Sequence, residues 1–175
     1  MDNYTVKAVW KEDKVLSVTI KNNENKRKIK ILDSMQFVSG SLRDILVSFK
    51  CTIKKGFLPY SFVNKENLYY IGNKPDIKYF ENITLDDYEQ LPEKWDIKSE
   101  TLSYLESDIK GLLEFITKYN ESTFKDYSLN ITKFTTAPSL AMGIFTSGYY
   151  DERKNKIKMI KGQVEEDIRM SYYGC

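Results

Sequence analysis

The chain has 175 residues, enough for one domain with a buried core. Its 41% hydrophobic and 14% aromatic content excludes the composition of a disordered segment. A net charge of +2 excludes a strong global field, so any contact with nucleic acid has to rest on locally placed Lys and Arg. The elements follow in chain order. Thr5–Trp10 and Val15–Ile20 alternate as strands, with Glu12-Asp13 as the hairpin turn between them. Asn22–Asn25 is a polar turn, and Lys28–Leu32 alternates as a third strand. Ser41-Leu42-Arg43-Asp44 resembles a capping box with Asp in place of Glu. Leu42, Ile45, Leu46 and Phe49 then predict a helix to about Lys50. Residues 57–98 are rich in Tyr and Asn, contain Pro59, Pro75 and Pro92, and read as irregular, with one short helix opened by Thr84-Leu85-Asp86-Asp87.

The clearest helix is predicted from about Ser99 to Tyr119. Leu102, Leu105, Ile109, Leu112 and Ile116 form its apolar stripe; Glu106, Lys110 and Glu114 form its wet face. Tyr104, Asp108, Gly111 and Phe115 run along the stripe's edge. After Tyr119 the chain is polar to Asn130. Pro138–Phe145 reads as a short apolar helix, Asp151–Lys158 as a charged turn, and Ile168–Cys175 as extended.

The chain contains no His, which excludes a His base, a His relay and a His-containing zinc site within it. Cys51 and Cys175 are far apart and form no CxxC, so a reducing compartment is expected. No apolar run reaches the length of a membrane span, and the first residues resemble neither a signal peptide nor a presequence. Heavy use of Lys, Asn, Ile and Tyr, all with A/T-rich codons, fits an organellar or plasmid gene.

The most informative stretch is Tyr104-Leu105-Glu106-Ser107-Asp108. Four residues apart on a helix, the phenol and the carboxylate face the same way. An acid that can hold a divalent metal, beside a phenol that can orient a water, suits phosphodiester hydrolysis. With 13 tyrosines in the chain, the same pair also has an ordinary reading as a helix-edge contact. Around it, in order, stand Asp33-Ser34-Met35-Gln36-Phe37-Val38, Lys55-Gly56-Phe57-Leu58 and Tyr172-Tyr173-Gly174. Pro59–Asn64, Tyr70–Asp76, Leu129–Lys133 and Pro138–Leu140 belong to the same series.

That series resembles the protein-primed family B DNA polymerases, in particular the organellar group of fungal and plant mitochondrial linear plasmids. The resemblance covers nearly the whole chain. It implies an α/β fold that is part of a ribonuclease-H-like 3′–5′ exonuclease domain, incomplete at both ends. Residues 1–120 would be the later part of that domain, and residues 121–175 the connection toward a polymerase domain. By this resemblance Asp108 is a metal-binding acid of the exonuclease and Tyr104 helps to position the attacking water. Ser34, Met35 and Val38 match a motif that grips single-stranded primer ends, with Met35 in place of Leu. Lys55 and Leu58 match the Lys-x-x-hydrophobic motif. Tyr172 and Gly174 match Tyr-x-Gly-Gly, whose second glycine is Cys175 here.

The resemblance also implies Mg²⁺ as cofactor, DNA and a terminal protein as partners, and a mitochondrial setting with the gene in the organelle or on a linear plasmid. No membrane partner is expected. The family's other exonuclease acids and its polymerase acids are not found in this sequence, and Glu12-Asp13 reads as a turn. Read without the resemblance, Ser34 is a strand-to-turn serine and Lys55 a solvated lysine, as Lys54 beside it is. For the chain as a whole, the alternative to a polymerase fragment is a non-catalytic single-strand-binding remnant or an inactive decayed product.

Overall fold

A computed structural model of the chain describes residues 3–11, 13–151, 153–154 and 160–171. Three antiparallel strands come first: β1 (Tyr4–Lys11), β2 (Lys14–Asn22) and β3 (Lys28–Leu32). They pair in the order β1-β2-β3, with a bulge at Val9/Trp10. The register sets Val6 beside Ile20 beside Ile29, and Ala8 beside Val18 beside Ile31. Strand alternation therefore collects these six on one face and Lys7, Thr19, Lys21, Lys28 and Lys30 on the other. At the turn into β3, Asn22 Oδ1 accepts the amides of Glu24 and Asn25, an Asx arrangement that reverses the chain.

Helix α1 (Leu42–Ser48) follows. Ser41 Oγ accepts the Asp44 amide at 3.2 Å and donates to the Asp44 carboxylate at 2.7 Å. This satisfies one of the orphan amides at the helix start. The helix ends two residues before the predicted Lys50, whose φ of 50° is left-handed.

Residues 57–98 are more ordered than their composition suggests. Strands β4 (Ile71–Asn73) and β5 (Lys94–Asp96) pair antiparallel, and between them lies the predicted short helix, α2 (Leu85–Glu89), capped by Thr84. Phe80, Trp95 and Ile97 are buried together, with Phe57, Phe62, Tyr70 and Tyr88 against them. Aromatic residues scattered along a loop show no helical or strand period, so their convergence on one cluster was not legible in the sequence.

Helix α3 (Ile97–Tyr127) has 31 residues and runs eight beyond the predicted end at Tyr119. Asp96 caps it by accepting the Lys98 and Ser99 amides. Its polar tail is held by tertiary contact: Thr123 is buried, and Asn120 Oδ1 accepts the amide of the buried Ile131. Ser128, in left-handed conformation, ends it.

The apolar stripe of α3 is the main correction. Leu102, Leu105, Ile109 and Leu112 are exposed. The packed face is the predicted edge: Gly111 and Phe115 are buried, with Tyr104 and Asp108 half-buried on the same side. Phe115 packs with Ile45 and Leu46 of α1, and Val38, Phe49 and Tyr119 close around them. A Cβ at residue 111 would stand 3.0 Å from Leu46 Cδ1 and 3.6 Å from Ile53 Cγ2, so glycine lets α1 and the segment after it approach α3 closely. Hydrophobicity ranks the leucines as core, but shape complementarity to α1 selects the face with the glycine.

Helix α4 (Ala137–Ile144) has Thr136 and Ser139 in a reciprocal capping box and leads into a π-helical turn, Phe145–Tyr149. Helix α5 (Gln163–Ser171) takes in the first four residues of the segment expected to be extended from Ile168; the rest of it lies outside the described residues. Of the charged turn expected after residue 150, Arg153 and Lys154 both donate backbone amides to Asp151. The chain is thus mixed α/β, with two small antiparallel sheets among the described residues. No helix among them is long and apolar enough to cross a membrane.

Glu114, expected on the wet face, ties the segment after α1 to α3. Its carboxylate accepts the Thr52 amide at 2.7 Å, the Thr52 hydroxyl at 3.0 Å and the Ile53 amide at 3.1 Å.

Two outcomes follow from this packing. Phe115 is 0% exposed and Leu105 53% exposed. In urea unfolding, Phe115→Ala is expected to cost about 3–5 kcal/mol, and Leu105→Ala less than about 0.5 kcal/mol. The reverse order would return the leucines to the core. The second concerns pH. Glu114 is lowered from 4.5 to about 2, chiefly by the Thr52 amide. Its folded value lies below its unfolded one, so the carboxylate's stabilisation is complete above about pH 4.5 and is lost as pH falls through about 2. Melting temperatures of wild type and Glu114→Gln should therefore differ most near neutral pH and converge toward about pH 2. A constant difference across that range would exclude the linkage.

Candidate active site

The site lies where the segment after α1 passes the first turns of α3. Helical spacing places Tyr104 and Asp108 on the face of α3 that this segment meets. Lys55 Nζ comes within 3.7 Å of Asp108 Oδ2, each side chain one-quarter exposed (25%). The same ammonium stands 5.6 Å from the centre of the Tyr104 ring. Tyr104 shares a hydrogen bond of 2.5 Å with Tyr60, and the two rings meet edge to face. Arg43 Nη2 donates to the Gly56 carbonyl at 3.1 Å, and its guanidinium lies 4.1 Å over the Phe57 ring. This fixes the backbone beside Lys55. A cleft of about 620 Å³ opens here, lined by Arg43, Lys55, Phe57, Leu58, Tyr60, Glu81, Asn82 and Tyr104 among others.

Electrostatics assign roles within this group. Burial pushes the Tyr60 hydroxyl up to about 12, aided by its hydrogen bond to Tyr104 and opposed by Lys55. Tyr104 is also raised, first by burial and then by the Asp108 charge, while Tyr60 and Arg43 oppose the shift. Both phenols are therefore neutral near pH 7. Tyr104 can orient a water or a phosphate oxygen by hydrogen bonding, but it cannot act as a base. Asp108 Oδ1 is buried without a hydrogen-bond partner, while Oδ2 faces Lys55. A buried carboxylate oxygen in that state suits a cation or a donor brought by a ligand. Among the described residues no three His, Cys, Asp or Glu side chains converge. A divalent ion needs about six oxygen ligands, so these residues do not by themselves build its site. Asp108 offers one carboxylate.

The structure brings together Tyr104, Asp108, Lys55 and, as cleft wall, the buried Leu58. Ser34, Met35 and Val38 stand apart from that group. Ser34 begins a 3₁₀ turn (Ser34–Gln36) after β3, capped by Asp33, and is not itself at a strand end. Met35 is exposed there, and Val38 packs on the α1–α3 core. Among the described residues no hydrogen bond or ion pair joins Ser34 or Met35 to Lys55, Tyr104 or Asp108. Tyr172 and Gly174 lie outside the described residues.

Three participants escape sequence reasoning. Tyr60 lies in a stretch without evident chemistry, and its only local signal is its place five residues after Lys55. Arg43 reads as one residue of a capping motif. Glu114 reads as part of the wet face of the helix, where it also pairs with Lys118 at 3.1 Å.

Comparison with known proteins gives the family of this chain. Residues 1–175 match the family described as DNA polymerase type B, organellar and viral. A "Probable DNA polymerase" of Agaricus bitorquis is 43% identical over 179 residues, covering 99% of this chain and 22% of that protein. One of Podospora anserina is 31% identical, covering 99% of this chain and 15% of the relative. The "DNA polymerase" of Canine adenovirus serotype 2 is 24% identical, covering 78% and 12%. No solved structure matches. The chain thus spans about a fifth or less of the length of these relatives. The match along the whole chain places it in the organellar and viral family of type B DNA polymerases.

Proposed function

We propose that this chain is the part of a replicative DNA polymerase that holds a single-stranded 3′ end for proofreading hydrolysis. The observation that carries the reading is the convergence of Lys55 and Tyr104 on the cleft wall with Asp108 behind them, paired to Lys55, from segments some fifty residues apart. In this reading residues 1–120 belong to a ribonuclease-H-like exonuclease domain and residues 121–175 lead toward the polymerase domain. The parent enzyme synthesises DNA on a DNA template from a terminal-protein primer, in a mitochondrion, from an organellar or linear-plasmid gene. Fungal relatives named as probable DNA polymerases and an adenoviral DNA polymerase support the DNA-synthesis part of this reading.

The chain's own residues would divide the work as follows. Lys55 places a positive charge beside the phosphate to be cleaved, where negative charge develops in the transition state. Tyr104, neutral and hydrogen-bonded to Tyr60, orients the attacking water. Asp108 supplies a carboxylate oxygen without a protein partner. Mg²⁺, the ion expected for this chemistry, would be held in part by that oxygen and would polarise the phosphate. Its other ligands would come from outside the group described here. The aromatic walls formed by Phe57 and Tyr60 offer surfaces on which an unpaired base can stack.

A second reading keeps the single-strand grip and drops the catalysis. That no three metal-ligating side chains converge among the described residues favours it for the chain acting alone.

Primer extension with purified chain, Mg²⁺ and nucleotides is expected to yield no product; template-dependent extension would overturn the fragment reading. Oligothymidine binding tests the grip. Lys55→Ala should lower the slope of log affinity against log salt by about one unit or less. Ser34→Ala should lose roughly 0.5–1.5 kcal/mol with little salt dependence. If both variants bind like wild type across the titration, Lys55 and Ser34 are a solvated lysine and a turn serine.

A further inference from the structure

The approach of Lys55 to Asp108 depends on backbone placement. The lysine lies on a connecting segment, and its partner on a rigid helix. That segment is fixed at successive residues. Lys118 Nζ donates to the Lys50 carbonyl at 2.6 Å. The Cys51 amide donates to the Leu46 carbonyl at 2.8 Å. Glu114 takes both the amide and the hydroxyl of Thr52, and the amide of Ile53. Lys118 is itself paired to Glu114 at 3.1 Å, so the two side chains brace each other one turn apart. Beyond Lys55, Arg43 holds the Gly56 carbonyl.

Of these ties, those from Glu114 and Lys118 run to α3, the helix that bears Asp108. Of these two, Glu114 makes its bonds nearer Lys55, at Thr52 and Ile53, whereas Lys118 reaches Lys50. A shift of the Thr52–Ile53 backbone along α3 would be passed to Lys55 two residues on. At 3.7 Å, its contact with Asp108 has little margin before an ion pair is lost.

We infer that Glu114, braced by Lys118, is a positioning residue that sets where Lys55 stands against Asp108. Its role in gripping a DNA end rests on the function proposed above. Its role in placing Lys55 does not. Glu114 carries a charge into no reacting position and lines no part of the cleft. It acts by satisfying two backbone amides and a hydroxyl on the segment that delivers Lys55. A glutamine there keeps the size but loses the charge that makes all three donors strong partners of one carboxylate.

The test uses the full chain and has two arms. In the first, the Asp108 carboxyl ¹³C resonance is followed by NMR. Lys55→Ala should shift it, and Glu114→Gln should shift it in the same direction, with faster hydrogen exchange at the Thr52 and Ile53 amides. In the double variant Glu114→Gln should add nothing further at Asp108. If Glu114→Gln leaves the Asp108 resonance and those amides unchanged, the inference is overturned. It is also overturned if the two substitutions shift the resonance additively. Should Glu114→Gln lose its dispersed spectrum, Lys118→Ala carries the same measurements, because it removes the brace at Lys50 and leaves Glu114 in place.

The second arm is oligothymidine binding at low salt. Lys55→Ala should weaken it about two- to five-fold. Glu114→Gln should weaken it no more than that, and the double variant should match Lys55→Ala alone. A merely structural Glu114 would weaken binding by the same factor in both backgrounds, and that result counts against the inference. If Lys55→Ala binds normally while the Asp108 resonance responds as expected, the positioning role stands and the DNA-end reading fails.

Discussion

Where α1 crosses α3, Leu46 comes so close to Gly111 that a Cβ there would meet its methyl group at 3.0 Å. That approach buries Phe115 against Ile45 and Leu46, and carries Ile53 onto the same stretch of α3. The segment after α1 must then pass Asp108 and Tyr104. A Cβ at 111 would press on the Leu46 methyls at 3.0 and 3.3 Å while meeting Ile53 of the passing segment at an ordinary 3.6 Å. The site is in this sense a consequence of helix packing, because the face that makes the core also carries the acid and the phenol.

Close packing alone would leave backbone amides of the passing segment without partners, which is costly in a partly dry environment. Glu114 takes two of them and Lys118 takes a carbonyl. The second cluster, around Phe80, Trp95 and Ile97, anchors the start of α3 in the same way from the other side. Trp95 Nε1 reaches the Pro92 carbonyl, and Tyr88 OH reaches that of Pro75, so even the aromatic core has its polar atoms satisfied. Asp108 Oδ1 stands out against this background because it is buried and unpartnered. Thr101 Oγ1, about two helical turns before it on α3, is the other buried side-chain atom in that state among the described residues, but only Asp108 carries a charge and stands beside Lys55.

The chemistry available is that of a positioned, incomplete site. Two neutral phenols share a proton-bearing contact, one cation faces one carboxylate, and aromatic walls border the opening. Such a group can orient and neutralise a phosphodiester. A metal-dependent displacement would need more oxygen ligands than it contains. This agrees with a segment that corresponds to about a fifth or less of the polymerases it resembles.

Local chemistry sufficed for much of the outline. Alternation gave the first three strands, Thr84 and Ser41 announced helix starts through their capping oxygens, and the four-residue spacing of Tyr104 and Asp108 placed them on one helix face. These signals depend on residues within a turn or two of each other, so the sequence carries them directly. Tertiary structure decided which face of α3 is core. Leu102, Leu105, Ile109 and Leu112 outrank a glycine and a tyrosine by hydrophobicity, yet α1 packs on the face where Gly111 leaves room. It also decided that α3 runs on to Tyr127, where Asn120 bonds the amide of Ile131 and Thr123 is buried, and that Tyr60 and Glu114 belong to the site. Each of these depends on groups distant in sequence meeting in space, a relation that composition and periodicity do not encode.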